Sequence, residues 1–299
     1  MIVGRLCYSV DSFRHAAPLS VKVAHLQFPS RVRVARRASR VLGSSTLARL
    51  LVLTFSTRLG LLWLVRGYRP ISDADQYLQI ARNLRDGHGF SLIYPQFYLH
   101  ATAFRPPIYP ALIAAVSFLT GGDMLLAAHL LGISIALAIT ALTYTVVRRA
   151  AGERAALIAG LGFALLPSVA INDVIPLAES TGILLALAVC ASLQRKAFVW
   201  AGVLAGLGVL TRPSFQISLV MLIVGVLLWT KSARRTLTFA GCALLVMLPW
   251  SIRNHVQVGT YQLTTSNGFN AAAIYSPAAL ANNNFIDPVF DHSFDGLEH

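Results

Sequence analysis

Seven long runs of apolar residues constrain the fold of this chain more than any other feature. They cover residues 50–65, 124–147, 155–171, 176–193, 197–210, 215–229 and 236–252. Hydrophobic residues make up 56% of the 299 residues and charged residues only 12%, and the mean hydropathy is +0.63. This composition predicts an all-α, polytopic membrane protein. Several runs fall short of the about 20 residues of a full span, so their ends must extend into polar residues or the bilayer must thin.

The distribution of basic residues predicts how the chain crosses the membrane. The net charge of +13 could indicate a nucleic-acid partner, but the lysines and arginines concentrate in the N-terminal tail and in the connections at 148–154, 195–196 and 231–235. These connections share one side of the membrane only if the short apolar segment 108–119 does not cross. Because basic loops face the cytoplasm, we predict a multi-pass protein of the cell membrane with seven spans, a cytoplasmic N-terminus, an outer C-terminus and no nucleic-acid partner.

This topology divides the chain into three parts. Residues 1–48 form a basic cytoplasmic tail, residues 49–252 the transmembrane domain, and residues 253–299 a C-terminal segment on the outer face.

The first outer loop, residues 67–123, is too long to be a simple connection. Apolar residues recur with helical spacing in residues 75–85, which predicts an amphipathic helix. Segment 108–119 is only a dozen residues long, which favours an interfacial helix over a span. The loop therefore offers two interfacial helices on either side of a polar opening at the level of the lipid headgroups.

Two acids, Asp73 and Asp75, stand just beyond the outer end of the first apolar run. Ser72 is the expected N-cap of the helix at 75–85, and acids in a first turn suit the positive end of the helix dipole. A purely structural role is therefore one interpretation of both acids. The other interpretation includes Arg105 of the same loop, because acid and guanidinium together at a membrane surface suggest chemistry on a charged lipid.

Further charged residues are predicted near the same face. Asp173 and Glu179 flank the outer turn between the third and fourth apolar runs, and Arg212 lies in the next outer turn. An ionisable group facing lipid costs roughly 2.5–3.5 kcal/mol, so these side chains should face protein or a watery cavity. Snorkelling of Arg212 and turn capping by Asp173 are the structural alternatives. Arg58, in the middle of the first span, is expected to pair with an inward-facing carboxylate.

Five segments carry distinctive polar and proline-containing sequences. They are SDADQYLQIARNLRDGHGFS (72–91), TAFRPPIYPAL (102–112), PLAESTGILL (176–185), GLGVLTRPS (206–214) and PWSIRNHVQVG (249–259). In this order they resemble the bacterial GT-C membrane glycosyltransferases related to dolichyl-phosphate-mannose–protein mannosyltransferases, glycosyltransferase family 39. The resemblance covers roughly residues 58–270.

The resemblance implies an enzyme that passes a sugar from a polyprenyl-phosphate donor to an acceptor on the outer face. An acid at the start of the first outer loop is the catalytic base in that family, and Asp73 matches it through its spacing to Tyr77. Asp75 is then an alternative base or a metal contact, and Glu179 matches the acid of a later outer turn. No cofactor is required by the motifs, but a divalent cation at Asp73 or Asp75 stays open.

The resemblance also places recurrent arginines at Arg105, Arg212 and Arg253. Guanidinium groups bind phosphate oxygens bidentately and stay charged near lipid, so these three are expected to contact the donor phosphate. Tyr77, Arg58 and Asp173 are expected to support the site.

The expected reaction is a single displacement with inversion. A carboxylate deprotonates the acceptor hydroxyl, which attacks the anomeric carbon as polyprenyl phosphate leaves. The motifs specify neither the sugar nor whether the acceptor is a protein, a lipid or a glycan. Family members continue beyond residue 270, so a fold shortened at its C-terminus is expected here. The alternatives are a catalytically silent membrane scaffold and a lipid or solute transporter, although a transporter would normally contain internal repeats.

Overall fold

The structure is a computed structural model that describes residues 31–93 and 98–282. These residues form eleven helices and one antiparallel pair of two-residue strands, so the predicted helical class is confirmed. The helices are α1 (Arg31–Leu64), α2 (Asp73–Arg85), α3 (Ile108–Ser117), α4 (Met124–Leu165), α5 (Pro167–Val174), α6 (Glu179–Gln194), α7 (Phe198–Val209), α8 (Phe215–Thr230), α9 (Ala233–Val258), α10 (Ser266–Tyr275) and α11 (Pro277–Asn282). The strands are β1 (Ser91–Leu92) and β2 (His100–Ala101).

The chain divides into two compact units, Met1–Leu42 and Gly43–His299. The structure describes only the beginning of α1 in the first unit. Residues 1–30 of the predicted cytoplasmic tail and residues 283–299 of the predicted C-terminal segment lie outside the described residues.

Several helices of the second unit are suited to a membrane. In the described part of the chain, three are long and apolar enough to cross: Ser45–Leu64, α4 and α9. Helices α5 and α6 meet at a bend of 108°. If the two together form one broken span, they make a fourth candidate span. Helices α3, α7 and α8 are apolar but shorter. A multi-pass membrane protein is thus supported, and the count of seven spans stays a prediction.

Helix α4 contains a sharp break at Gly152, whose φ of 86° and ψ of −179° are not helical. A side chain would disfavour this positive φ, which glycine adopts readily. The break separates the predicted spans 124–147 and 155–171. The connection predicted at 148–154 thus contains the kink where two helices meet, and it is helical apart from this one residue.

The predicted span 155–171 is also wrong as one continuous helix. It is interrupted at Leu166, whose ψ of 112° is extended, and Pro167 starts α5. Proline disfavours a helical conformation in the residue before it but is well tolerated at the first position of a new helix. As a consequence Asp173 lies within α5, and the turn before α6 comes after Val174.

Helix α9 continues beyond the predicted span 236–252. It ends at Val258, where Gly259 has a φ of 80° and donates its N–H to the carbonyls of Asn254 and His255. A left-handed glycine is a common helix terminator. Arg253 therefore lies on α9 and not in a tail that follows it.

The two helices predicted in the first outer loop are present as α2 and α3. Their buried faces pack with the start of α4 in one apolar cluster that includes Tyr77, Tyr109, Ile113 and Ala127. Gly87 and Gly89, with φ of 81° and 71°, follow the end of α2. Asp73, the first residue of α2, shares a cavity with Glu179 and Arg212.

Candidate active site

A small cavity brings together five of the residues predicted to form the site. They are Asp73, Tyr77, Arg105, Glu179 and Arg212. The other lining residues are Pro106, Leu177, Ala178, Pro213, Ser266 and Asn270, and the volume is about 130 Å³. The five come from α2, the segment before α3, the start of α6 and the turn after α7. Convergence from such separate segments is what a binding site requires and what independent helix-end residues would not produce.

Asp73 is oriented by Arg105. The guanidinium donates from Nη2 to Asp73 Oδ1 and from Nε to Gln76 Oε1 at 2.6 Å. It also lies over the rings of Phe104 and Tyr77, at 4.9 and 5.8 Å from the ring centroids. The arginine side chain is 12% exposed, whereas that of Asp73 is 49% exposed. The carboxylate is therefore held in place by a nearly buried partner and is still reachable from outside.

Asp75 has a different environment. Its Oδ2 accepts a hydrogen bond from Gln79 Nε2 at 2.6 Å, within the same helix, and it does not line the cavity. Ser72 takes the N-cap position, but its φ of 52° and ψ of −125° are unusual and its side chain makes no capping hydrogen bond. The predicted capping role of Ser72 is therefore wrong, because this backbone conformation differs from the extended one of an N-cap.

Glu179 and Arg212 form the second ion pair of the cavity. Arg212 Nη1 lies 2.9 Å from Glu179 Oε1, and both side chains are about one-third exposed. Glu179 begins α6, and Arg212 lies in the turn between α7 and α8, as predicted. Gly182 leaves room for the arginine, because a Cβ at this position would lie 3.0 Å from Arg212 Cδ.

Tyr77 lies among these four charged groups. Burial raises its pKa to about 12, with opposing contributions from Arg105 and Arg212, which lower it, and from Asp73 and Glu179, which raise it. The ring of Tyr109 packs edge-on against it at 5.1 Å, and burial raises the pKa of this second phenol as well. Both hydroxyls are therefore protonated at neutral pH and are suited to hydrogen bonding and not to the role of base.

Arg58 and Asp173 form a fully buried pair outside the cavity. Arg58 Nη2 lies 2.7 Å from Asp173 Oδ2, which confirms the predicted pairing with an inward carboxylate. The same guanidinium donates to the carbonyls of Phe163 and Ala164 at 3.1 and 2.7 Å. Ser180 donates to the other carboxylate oxygen, Oδ1. Because Ser180 follows Glu179 directly, the pair holds the start of α6 that carries this cavity residue.

Arg253 does not line the cavity. It donates from Nη1 to the carbonyl of Thr102 at 2.6 Å and from Nη2 to that of Phe90 at 2.8 Å, and it lies over the ring of Trp250 at 4.9 Å. These contacts connect α9 to the segments on either side of the strand pair, at Phe90 and Thr102. They do not support the predicted contact with a donor phosphate.

Three cavity-related residues escaped the sequence analysis: Gln76, Ser266 and Asn270. Gln76 lies one helical turn after Asp73 and accepts a hydrogen bond from Arg105. Its helical spacing from Asp73 could therefore have placed it beside the predicted site. Ser266 and Asn270 belong to α10, which carries no strong apolar period.

The described residues contain no group of three or more His, Cys, Asp or Glu side chains that could hold a metal ion. Asp73 and Glu179 each face an arginine, and Asp75 faces Gln79. A divalent cation at Asp73 or Asp75 would have to share these oxygens with the present partners, so it stays an open prediction.

Comparison with known proteins identifies one family. Residues 104–252, 149 of the 299, match the model of the dolichyl-phosphate-mannose-protein mannosyltransferase family. The resemblance inferred from the five segments is confirmed over this part, which contains Arg105, Glu179 and Arg212 but not Asp73. No curated protein and no solved structure matches the chain.

Proposed function

We propose that this chain, whose residues 104–252 match the model of the dolichyl-phosphate-mannose-protein mannosyltransferase family, transfers a sugar from a polyprenyl-phosphate donor to an acceptor on the outer face of the membrane. The family match indicates a membrane glycosyltransferase that uses a lipid-linked sugar. The inverting mechanism, the catalytic base and the side of the membrane are our proposals.

The observation that carries the proposal is the pairing of two carboxylates with two arginines around one cavity. A glycosyl transfer from a lipid phosphate needs a base for the acceptor and cations for the leaving phosphate. Asp73 and Glu179 are carboxylates that can act as the base. Arg105 and Arg212 are the cations that can stabilise the leaving phosphate.

Asp73 is the better candidate for the base. Its side chain is half-exposed, so an acceptor hydroxyl can reach it, and Arg105 fixes its direction. In the proposed step this carboxylate takes the proton of the acceptor hydroxyl while the oxygen attacks the anomeric carbon. The bond between that carbon and the phosphate oxygen breaks with its electron pair, and the configuration inverts. General-base assistance of this kind contributes about 10²–10⁴-fold.

Arg212 is the better candidate for the leaving phosphate. In the described part of the chain its one ion-pair contact uses Nη1, to Glu179, so Nε and Nη2 stay available for phosphate oxygens. In this scheme Glu179 orients the guanidinium. Arg105, whose guanidinium lies 5.8 Å from the Tyr77 ring centroid, also lines the cavity and adds positive charge.

The cavity is too small for the whole donor. Pockets for small ligands usually measure about 300–1,000 Å³, so 130 Å³ suits a phosphate or part of a sugar ring. A larger groove of about 620 Å³ lies nearby. Its lining is mainly apolar on α8 and α9 and polar at the segment before and within α10: Gln216, Leu219, Val220, Met247, Tyr261, Gln262, Leu263, Thr264, Asn267 and Gly268.

We assign this groove to the polyprenyl chain. Helix α10 contributes to both spaces, with Ser266 and Asn270 at the cavity and Asn267 and Gly268 at the groove. Pro213 of the cavity precedes Gln216 of the groove by less than one helical turn. A donor with its phosphate at Arg212 can therefore place its apolar chain along α8.

The test is transfer or hydrolysis of a radiolabelled polyprenyl-phosphate sugar by the purified full chain. Asp73→Asn should lower turnover about 10²–10⁴-fold and leave donor binding unchanged, because the amide keeps the shape and loses the basicity. Asp75→Asn is the matched control, since this acid lies in the same helix turn outside the cavity. If Asp73→Asn kept the wild-type turnover, Asp73 would not be the catalytic base, and its role would be limited to the start of helix α2. No transfer and no hydrolysis by the wild-type chain would instead favour a scaffold or a transporter.

A further inference from the structure

A second cavity, which combines basic and apolar residues, lies at the N-terminal end of α7, the end remote from Arg212. It has a volume of about 540 Å³ and is lined by Lys196, Ala197, Phe198, Val199, Ser232, Arg234, Arg235 and Thr238. We propose that it binds the phosphate headgroup of an anionic phospholipid. Helix α7 has 12 residues, or about 18 Å of rise, so this site is separate from the proposed transfer site and independent of it.

The charges of this cavity are unbalanced. Lys196, Arg234 and Arg235 contribute three cations, Ser232 contributes a hydroxyl group, and no acid lines it. The hydroxyl of Thr238 already donates to the carbonyl of Arg234 at 2.9 Å. In the part of the chain that the structure describes, none of the three cations forms a salt bridge. Guanidinium and ammonium groups beside hydroxyls form strong, charge-assisted hydrogen bonds to phosphate oxygens. The arrangement therefore suits an anion with several oxygens.

Close helix packing places the two halves of the cavity side by side. Helices α7 and α9 run parallel, and a Cβ on Gly202 would lie 2.2 Å from the carbonyl oxygen of Phe239. A Cβ on Gly206 would lie 2.7 Å from that of Ala243. Glycines four residues apart allow such close approach between membrane helices. The turn before α7, with Lys196, is thereby held next to the start of α9, with Arg234 and Arg235.

The surroundings of the cavity have the character of a membrane interface. Trp200 is 65% exposed and Trp229 is 56% exposed, and tryptophan is enriched where headgroups meet the acyl chains. The ring of Phe198 lies 6.3 Å from that of Trp229, and the guanidinium of Arg235 lies 5.7 Å from the Phe198 ring centroid. A cation beside exposed aromatic residues favours a ligand that carries both a charge and an apolar part. We therefore infer a lipid and not a soluble phosphate.

Lys196 offers a clean variant for a test. Its φ of 58° is in the left-handed region, where glycine is unstrained and other residues are not. Lys196→Gly should therefore keep the turn intact, or stabilise it, while removing one cation.

The experiment measures binding of phosphatidylglycerol to the purified full chain in neutral detergent by native mass spectrometry. Each cation near an anionic lipid contributes about a fivefold gain in affinity, so Arg234→Gln with Arg235→Gln should weaken binding about 25-fold and Lys196→Gly about fivefold. The unfolding temperature should stay unchanged in the double variant, because both arginines are exposed.

The matched control is Arg149→Gln with Arg154→Gln. These two exposed arginines belong to another predicted cytoplasmic connection and do not line the cavity. We expect less than a threefold change in the control. Equal weakening of both double variants would overturn the proposal in favour of diffuse surface charge. Equally tight binding of phosphatidylcholine, or of inorganic phosphate, would also overturn it, because the first lacks net charge and the second lacks the lipid.

Discussion

Arg58 donates from Nε to Asp173 Oδ2 at 2.8 Å, and its Nη2 lies 2.7 Å from the same oxygen, with both side chains entirely buried. The pair connects α1 to α5, and Ser180 extends it to α6. A fully buried charge destabilises the folded protein unless its oppositely charged partner is present. This pair is therefore a structural requirement for the part of the molecule that carries Glu179.

Arg58→Met should destabilise the protein strongly. Removing one partner of a buried pair leaves an uncompensated charge and costs about 3–5 kcal/mol. The measurement is thermal unfolding of the purified chain in detergent. Arg58→Met combined with Asp173→Asn should recover most of the lost stability, because neither charge is left alone. A single variant as stable as the wild type would contradict this assignment.

Arg212→Lys should weaken donor binding and turnover about 10–100-fold although the charge is kept. Lysine is a point charge and cannot make the bidentate contact of a guanidinium, and a hydrogen bond to a charged group contributes about 1.5–3 kcal/mol. Affinity for the polyprenyl-phosphate sugar is the quantity to measure. Arg66→Lys is the control, because Arg66 is exposed at the end of α1 and contacts only Trp63 in the described residues. Equal, small effects in both variants would make Arg212 a snorkelling residue.

The sequence was sufficient for the features that depend on local pattern. The helical spacing of residues 75–85 predicted α2, and the short apolar segment at 108–119 predicted α3. Arg212-Pro213 predicted a turn, since proline favours one there. The position of Arg58 in the middle of the first apolar run also predicted a carboxylate partner, because an unpaired charge there would be too costly.

Contacts between distant segments could not be predicted in this way. The carbonyls to which Arg253 donates belong to Phe90 and Thr102, and nothing in the local sequence around Arg253 indicates these partners. The capping role expected for Ser72 failed because its backbone, with φ of 52° and ψ of −125°, is not in the extended conformation of an N-cap. The break at Pro167 had a local signal, since proline rarely lies within a helix.

Tyr77→Phe should change the rate modestly and leave its pH dependence unaltered. The Tyr77 pKa is raised to about 12 because burial disfavours the phenolate, so the hydroxyl does not lose its proton as the pH rises from 6 to 10. The profile of kcat/KM against pH for both proteins is the check. If the variant lost an ionisation in this range, the phenol would take part in proton transfer and Asp73 would not be the sole base.

Val220→Trp should impair the use of a long-chain donor selectively. Val220 is 60% exposed on α8 and lines the groove assigned to the polyprenyl chain, so a larger side chain fills the groove without disturbing the core. Excluding only two methylene groups of the lipid from apolar contact costs about 1.6 kcal/mol, which raises KM about 15-fold. A donor analogue with a short, water-soluble chain should show no change in KM, because it does not reach the groove.

Met221→Trp is the control for the same substitution. It is the next residue of α8, it is 69% exposed, and it does not line the groove. A comparable increase in KM for both variants would mean that tryptophan disturbs α8 in general. A normal KM for the long-chain donor in Val220→Trp would place the polyprenyl chain elsewhere, while the sugar and phosphate could still bind at Asp73 and Arg212.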